Sequence, residues 1–132
     1  MVIYVIFICK ESLSKQIIKG KDYFCFEIYF NQRKNSVSYR IVNEYKEIAI
    51  YDMDYFEPKG KALLNMVFKT QDDLCIIQLR AIDELDGECF NVNGLWGEYY
   101  DGGNPVLEEK VHNIIIGQAK LEGLYISAIN TA

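Results

Sequence analysis

The sequence predicts an α+β fold, in which one long C-terminal helix packs on a mostly antiparallel, twisted sheet of about six to eight strands, with a short helix after the first strand. Aromatic residues make up 14% of the chain, and such residues favour strands. Several segments alternate apolar and polar residues with period two, which indicates half-buried strands. Residues 104–123 instead combine a helix-start signal with a stripe of helical spacing.

The size and composition of the chain indicate a single domain, residues 1–132, with one core. Half of the residues are apolar and a quarter are charged, which is typical of a globular protein. The sequence contains no linker, internal repeat or low-complexity stretch. No motif of a known family is present.

The first ten residues, MVIYVIFICK, predict a buried strand over residues 2–9 that is covered on both faces. The segment lacks the basic start and the small-residue cleavage site of a signal peptide. It is also shorter than the roughly 20 residues of a membrane-spanning helix. We therefore expect a cytoplasmic protein that does not associate with membranes.

The segment ESLSKQIIKG, residues 11–20, predicts a short helix that Ser12 caps and Gly20 ends, with Leu13 and Ile17 on one face. Three strands are predicted to follow as an antiparallel meander, at residues 23–30, 37–41 and 46–53. Alternation in the first of them places four apolar residues on one face, and Glu27 on the other. The four residues are Phe24, Phe26, Ile28 and Phe30. The inward residues of the second and third are Val37, Tyr39, Ile41, Ile48 and Ile50.

Two apolar runs, residues 61–69 and 74–82, flank the short acidic turn TQDD and predict a hairpin. A helix from Ala62 onward is the rival interpretation, because Leu63, Met66 and Val67 also fit helical spacing. The segment CFNVNGLWGEYY, residues 89–100, predicts a further strand with interruptions at its two glycines.

The last helix is predicted from its start signals. Asn104 is a favoured N-cap, Pro105 suits the first helical position, and two glutamates at 108 and 109 suit the positive end of the helix dipole. Its apolar stripe is predicted to consist of Leu107, Val111, Ile114, Gln118 and Leu121. Gly123 would end the helix, and residues 124–129 would return as a final strand.

The sequence contains no pattern of residues that is typical of a metal or cofactor site. Four cysteines, Cys9, Cys25, Cys75 and Cys89, lie far apart in apolar runs, and the single His112 is distant from all of them. Zinc sites need paired ligands at short spacing, so we expect free thiols, no metal and no cofactor. An EF-hand loop drawn through residues 82–93 would require acids at both ends, where Ile82 and Asn93 stand.

Catalysis and nucleic-acid binding are likewise not expected. No nucleophile, base and partner set is recognisable, and His112 is interpreted as an ordinary residue on a helix face. The sequence pI of about 4.9 and the lack of a basic stripe argue against nucleic acid. We therefore expect a binding protein rather than an enzyme.

The charge distribution is uneven. Residues 81–109 contain eight acids and no base, whereas the chain before them is slightly basic. The only Trp and a Tyr pair lie in the same stretch, and Trp and Tyr are frequent binding hot spots. The predicted partner-binding residues are Asp83, Glu84, Asp86, Glu88, Trp96, Glu98, Tyr99, Tyr100 and Asp101. For each residue taken alone, a solvated loop or a place in the core is the competing interpretation.

Two functional hypotheses follow. In the first, a small acidic protein binds and blocks a basic protein, as an immunity protein (antitoxin) does to a toxin, or a phage-type inhibitor to a nucleic-acid enzyme. In the second, the Tyr- and Phe-rich sheet forms an aromatic-lined pocket that binds or sequesters a small molecule. The sequence leaves a homodimer open, through residues 2–9 or 62–68 at a sheet edge.

Overall fold

The computed structural model describes residues 4–61, 66–89 and 92–130. Over these ranges the chain forms seven strands, three α-helices and a short 3₁₀ helix, Met53–Tyr55. The strands are β1 (Tyr4–Cys9), β2 (Asp22–Asn31), β3 (Ser36–Val42), β4 (Ile48–Asp52), β5 (Phe56–Lys61), β6 (Met66–Gln71) and β7 (Leu74–Leu79). The helices are α1 (Arg80–Gly87), α2 (Gly94–Asp101) and α3 (Pro105–Leu121). The predicted α+β class, with a long C-terminal helix, is confirmed.

Strand β2 organises the sheet. Every strand pair is antiparallel, and β2, β3 and β4 form the predicted meander. On its other side, the first half of β2 pairs with β1 and the second half pairs with β7. The sheet therefore divides at β2 into one branch that ends at β5 and one that ends at β6.

Two clusters of buried side chains lie against the sheet. A helix-side cluster joins α1, α2 and α3 to residues such as Phe24 and Phe26. A loop-side cluster, which includes Cys25, Ile28 and Ile41, is covered by Ile17 from the segment after β1. Strand β1 lies between β2 and β5 and contributes to both clusters, so the prediction of a strand buried on both faces is confirmed for Tyr4–Cys9.

A β-bulge in β2 changes which residues share a face. Cys25 pairs with Ile41, whereas Glu27 pairs with Arg40, so one extra residue is inserted between these two pairs. Such a bulge shifts the alternation of the strand by one position. Phe24 and Phe26 therefore join the helix-side cluster while Ile28 joins the loop-side cluster, and the prediction that they share a face is wrong. Glu27 consequently enters the helix-side face of the sheet.

The segment after β1 is a turn rather than the predicted short helix. Leu13 and Ile17 form an isolated antiparallel bridge, and Ser14 has a left-handed backbone with φ 51°. The Ser12 hydroxyl accepts a hydrogen bond from the Lys19 amide at 2.8 Å instead of capping a helix. Ile17 is fully buried against the sheet, and this packing outweighs the weak helical preference of a short polar segment.

The hairpin interpretation of the next segment is confirmed over residues 66–79, where β6 and β7 pair in continuous register. Residues 62–65, where the rival helix would begin, lie outside the described residues. The predicted strand over residues 89–100 is wrong for residues 94–100, because α2 occupies them, and residues 90–91 are outside the described ranges. The acidic segment before it, for which a solvated loop was the competing interpretation, lies in and just after α1. In both helices, buried residues recur at helical spacing, with Ile82 and Leu85 in α1 and Leu95 and Tyr99 in α2.

Helix α3 starts as predicted. The Asn104 side chain accepts a hydrogen bond from the Leu107 amide at 3.1 Å, and Gly123 follows the helix end with φ 88°. The predicted stripe is partly wrong, because Leu121 is 67% exposed and the buried apolar positions recur every four residues. They are Leu107, Val111, Ile115 and Ala119. The predicted final strand over residues 124–129 is wrong. These residues do not join the sheet, and Ile126 and Ile129 are buried in the helix-side cluster.

We expect Asn104→Ala to lower the free energy of unfolding by about 1 kcal/mol, because an orphan amide at the helix start loses its acceptor. Urea unfolding followed by circular dichroism would measure the change. The matched control is Asn113→Ala, which alters an exposed position in the middle of the same helix and should change stability by less than about 0.5 kcal/mol. Equal effects at the two positions would contradict the capping role.

Among the described residues, no helix combines the length and the apolar character needed to cross a membrane.

Candidate functional site

A cavity of about 680 Å³ opens on the helix side of the sheet, over the branch formed by β3, β2 and β7. Its floor is a row of residues paired directly across these three strands. Arg40 of β3 pairs with Glu27 of β2, and Glu27 pairs with Gln78 of β7. The bulge in β2 turns this row toward the helices, where the start of α2 forms one wall of the cavity.

Glu27 and Arg40 form a buried ion pair. The Arg40 Nε lies 3.0 Å from Glu27 Oε1. The Arg40 side chain is 6% exposed and the Glu27 side chain is 0% exposed. Removing two charges from water is costly, and the cost is offset only when each charge has good hydrogen-bond partners. The contacts around both groups meet that condition.

The Glu27 carboxylate accepts hydrogen bonds from four donors. Besides Arg40, they are the Trp96 indole at 3.1 Å, the Tyr29 hydroxyl and the Gln78 side-chain amide. Burial raises the pKa of Glu27, while the Arg40 charge and these hydrogen bonds oppose the rise. An ionised carboxylate has about four lone-pair sites and only accepts hydrogen bonds, whereas a protonated one also carries a donor. Because all four neighbours of Glu27 are donors, they favour its ionised form.

The Arg40 guanidinium is held on every side. It donates from Nη1 to the Tyr100 hydroxyl at 2.7 Å and from Nη2 to the Tyr29 hydroxyl at 3.0 Å. Its central carbon lies 4.2 Å from the centroid of the Trp96 ring, which adds a cation–π contact. Tyr100 in turn donates to the Ile48 carbonyl at 2.9 Å, so Tyr100 links helix α2 to β3 through Arg40 and to β4 directly.

Gln78 completes the floor and differs from its neighbours in one respect. Its side chain is almost fully buried, and its Nε2 donates to Glu27. Its Oε1 has no hydrogen-bond partner among the described residues. A buried carbonyl oxygen without a donor is unfavourable, and this atom lies beneath the accessible surface of the floor.

A second ion pair lies at the rim of the cavity. Lys69 of β6 contacts Asp83 at 3.2 Å and Asp86 at 3.0 Å. Asp86 also accepts a hydrogen bond from the Leu95 amide at 2.7 Å, which joins the end of α1 to the start of α2. Burial acts to raise the pKa of Asp86, but the Leu95 amide and Lys69 outweigh it, and the pKa is lowered.

The predicted partner-binding residues are divided among these environments. Asp83 and Asp86 share the single positive charge of Lys69, which the sequence places well before the acidic stretch. Trp96 and Tyr100 contact Arg40, and Tyr99 is 1% exposed and belongs to the core rather than to a contact surface. Glu98 accepts a hydrogen bond from Asn104 at 3.0 Å. The exposed members are Glu84, Glu88 and Asp101, together with Tyr100, which is 45% exposed although its hydroxyl contacts Arg40.

Sequence reasoning missed Glu27, Arg40 and Gln78 as site residues. Each is the charged or amide member of an otherwise apolar strand segment, in EIYF, YRIV and CIIQL. A charged or amide side chain in a strand is usually read as facing solvent. Three strands of one sheet each carry such a residue. Because buried polar groups need partners, this repetition could have indicated that the three side chains meet on one face of the sheet.

His112 lies away from the cavity. Its Nε2 is 2.7 Å from the Tyr99 hydroxyl, and burial lowers its pKa. It packs beside the core, as expected for a helix-face histidine. Over the described part of the chain, no group of His, Cys, Asp or Glu residues is arranged to hold a metal ion.

Comparison of the chain with protein-family models, with curated proteins and with solved structures found no match.

Proposed function

We propose that this protein is a small-molecule binding or sequestering module whose ligand occupies the cavity over Glu27, Arg40 and Gln78. The observation that carries the proposal is a buried polar row at the floor of a cavity of about 680 Å³, with one acceptor atom unpartnered. Ligand sites typically measure about 300–1,000 Å³ and place a few polar groups among apolar walls. A buried ion pair contributes little net stability, so a role in shaping a site accounts for its place better than stability does.

The cavity differs from the aromatic-lined pocket that the sequence suggested. Tyr29 and Trp96 contribute aromatic surface, but the floor is polar and its charges are paired within the protein. The ion-paired part of the floor is held in place by its own hydrogen bonds, and such preorganisation reduces the entropic cost of association.

The test is a search for bound and binding compounds. Protein purified from its native host would be denatured, and the released small molecules would be identified by mass spectrometry. Mixtures of metabolites would then be screened against the folded protein by ligand-observed NMR.

A matched pair of variants assigns any binding to the cavity. Ile50 is exposed at the cavity wall, beside Arg40 in the cross-strand row, whereas Met53 is similarly exposed but does not line the cavity. We expect Ile50→Tyr to weaken ligand binding by about tenfold or more by occupying part of the cavity, and Met53→Tyr to leave it unchanged. Binding that is equally strong in both variants, or no binding compound at all, would contradict the proposal.

Binding of a basic protein partner is the second candidate function, and one observation favours it. Glu84, Glu88 and Asp101 are exposed and form no ion pair within the described ranges. Exposed carboxylates without an internal countercharge attract a basic protein, such as a toxin or a nucleic-acid enzyme. A pull-down from the native host at low and high salt would test it, with the wild type compared with a Glu84→Gln, Glu88→Gln, Asp101→Asn variant. Recovery of one basic protein with the wild type alone would support it, and equal recovery with both would contradict it.

A further inference from the structure

We propose that the C-terminal segment, residues 124–130, is held by a proton-sensitive hydrogen-bond chain that runs from His112 through the Tyr99 hydroxyl to the Asn130 carbonyl. Protonation of His112 turns the Tyr99 hydroxyl toward Asn130 and adds a hydrogen bond at the end of the segment. The inference concerns a part of the molecule outside the cavity and does not depend on the proposed function. Two distances, the burial of Tyr99 and the anchoring of Asn130 carry it.

Three parts of the chain meet at the Tyr99 hydroxyl. Tyr99 lies on α2 and is 1% exposed, His112 lies on α3, and Asn130 is the last residue of the C-terminal segment. The Tyr99 oxygen lies 2.7 Å from His112 Nε2 and 3.5 Å from the Asn130 carbonyl oxygen. These two atoms are the hydrogen-bond partners of the hydroxyl among the described residues.

The two distances assign the hydroxyl proton. A hydroxyl has one proton to donate, and an imidazole nitrogen accepts it only when that nitrogen carries none. Hydrogen bonds donated by a hydroxyl typically span about 2.5–3.0 Å, so the contact of Tyr99 with Nε2 has a normal length and the contact with Asn130 is long. We therefore assign the Tyr99 proton to the bond with a neutral His112, whose own proton lies on Nδ1.

Protonation of His112 reverses this chain. An imidazolium carries a proton on each nitrogen, so Nε2 becomes a donor to the Tyr99 oxygen. The Tyr99 proton then has no acceptor on His112, and the Asn130 carbonyl is the acceptor within reach. The added proton comes from solvent, and every other proton of the chain stays on the atom that already carries it.

The surroundings of His112 set the pH range of the reversal. Burial lowers the pKa of His112, and the charge of Glu108, which lies one turn earlier on α3 and is itself buried, opposes this change. The other groups that face the imidazole are the Tyr99 hydroxyl from α2 and, beyond it, the Asn130 carbonyl, and both are uncharged. Since burial dominates, the reversal is expected at mildly acidic pH, below the ordinary pKa of histidine.

The end of the segment is the part that responds. Asn130 donates from its backbone amide to the Lys46 carbonyl at 2.7 Å and from its side chain to the Tyr45 carbonyl at 2.5 Å. Both bonds attach Asn130 to the turn between β3 and β4. A bond from Tyr99 would add an attachment to α2, so the protonated form holds the end of the segment between this turn and the helix.

The single histidine of the chain allows a first test without any substitution. A long-range ¹H–¹⁵N spectrum of the imidazole reports which nitrogen carries the proton. At neutral pH we expect the proton on Nδ1 of His112 and none on Nε2. A proton on Nε2 at neutral pH would overturn the proposal, because the chain would then already point toward Asn130.

A pH titration tests the reversal itself. The ¹³C shift of the Asn130 carbonyl would be followed from about pH 8 to about pH 5, a range that spans the titration of histidine. We expect this shift to move in the direction of stronger hydrogen bonding, with the same midpoint as the His112 ring signals. A carbonyl shift that stays flat while His112 titrates would overturn the proposal.

Three variants separate the hydroxyl from other causes. Tyr99→Phe keeps the buried ring, so the Asn130 response should be lost while His112 still titrates. Tyr125→Phe is the matched control, because Tyr125 is a 79% exposed tyrosine of the same segment, and the response should persist. Glu108→Gln should keep the response and move its midpoint to lower pH, because the charge that raises the pKa of His112 is gone.

The outcomes of these variants are decisive. A response of Asn130 that survives Tyr99→Phe would show that the imidazolium charge acts through space, and a response that vanishes in Glu108→Gln would show that the carboxyl group titrates. Either result would overturn the proposal. The imidazole spectrum and the titration of the unaltered protein test it even if Tyr99→Phe fails to fold.

Discussion

Replacing Arg40 with methionine will lower the free energy of unfolding by about 3–5 kcal/mol. The substitution leaves the Glu27 carboxylate fully buried without its countercharge, and it removes the hydrogen bonds that Arg40 donates to Tyr29 and Tyr100. Burial already raises the pKa of Glu27, so without Arg40 the carboxyl group would take up a proton more readily. Urea unfolding, followed by Trp96 fluorescence and by circular dichroism, would measure the loss.

Two further variants show that the effect comes from the pair. In the double variant Glu27→Leu, Arg40→Met both charges are absent, and we expect at least half of the lost stability to return, because the uncompensated charge is gone. Arg33→Met is the control, since Arg33 is largely exposed and its ion pair with Asp73 spans 3.3 Å at the surface. It should change stability by less than about 1 kcal/mol. A loss for Arg40→Met no larger than that of Arg33→Met would contradict a buried, structurally coupled pair.

Phe26→Ala will also destabilise the protein by about 3–5 kcal/mol. The Phe26 side chain is fully buried at the bulge of β2, and its ring lies 6.1 Å from that of Trp96, centroid to centroid. Its removal would leave a cavity beneath the residue that covers Arg40 and donates to Glu27. We therefore expect a shift of the Trp96 emission maximum in the folded state in addition to the loss of stability.

The control for Phe26 lies in the same strand. Phe30 is 36% exposed, and Phe30→Ala should cost clearly less than Phe26→Ala and leave the Trp96 emission unchanged. Phe26→Leu keeps most of the volume and should cost less than about 1.5 kcal/mol. Similar losses for the two alanine variants would show that the bulge does not place Phe26 in the helix-side core.

Local signals in the sequence predicted much of the fold. The start of α3 was readable because Asn104 and Pro105 act on the backbone next to them, and cap geometry depends on few other residues. The meander and the hairpin were readable because period-two alternation and short polar turns are also local. The α2 region was misread because aromatic residues favour strands, whereas Leu95 and Tyr99 are held in a helix by burial against the core.

The candidate site was not predictable in the same way. The sequence indicated the acidic stretch, but Lys69 reaches Asp83 and Asp86 from β6, and the contact depends on how the hairpin meets α1. The bulge in β2 decides that Glu27 faces the helices, and no turn residue or glycine marks its position. Arg40, Glu27 and Gln78 meet only through strand register, which depends on the pairing of the whole sheet.

By itself, the sequence determined the α+β class, the meander, the hairpin and the capped C-terminal helix, because each follows from side-chain periodicity or from a cap within a few residues. Only the tertiary structure decided that Trp96 and Tyr100 enclose an arginine, and that part of the acidic stretch is neutralised. It also decided that the cavity has a polar floor. The reason is physical, since the partners of a buried charge are chosen by distance in space, and strand pairing brings together residues that are far apart along the chain.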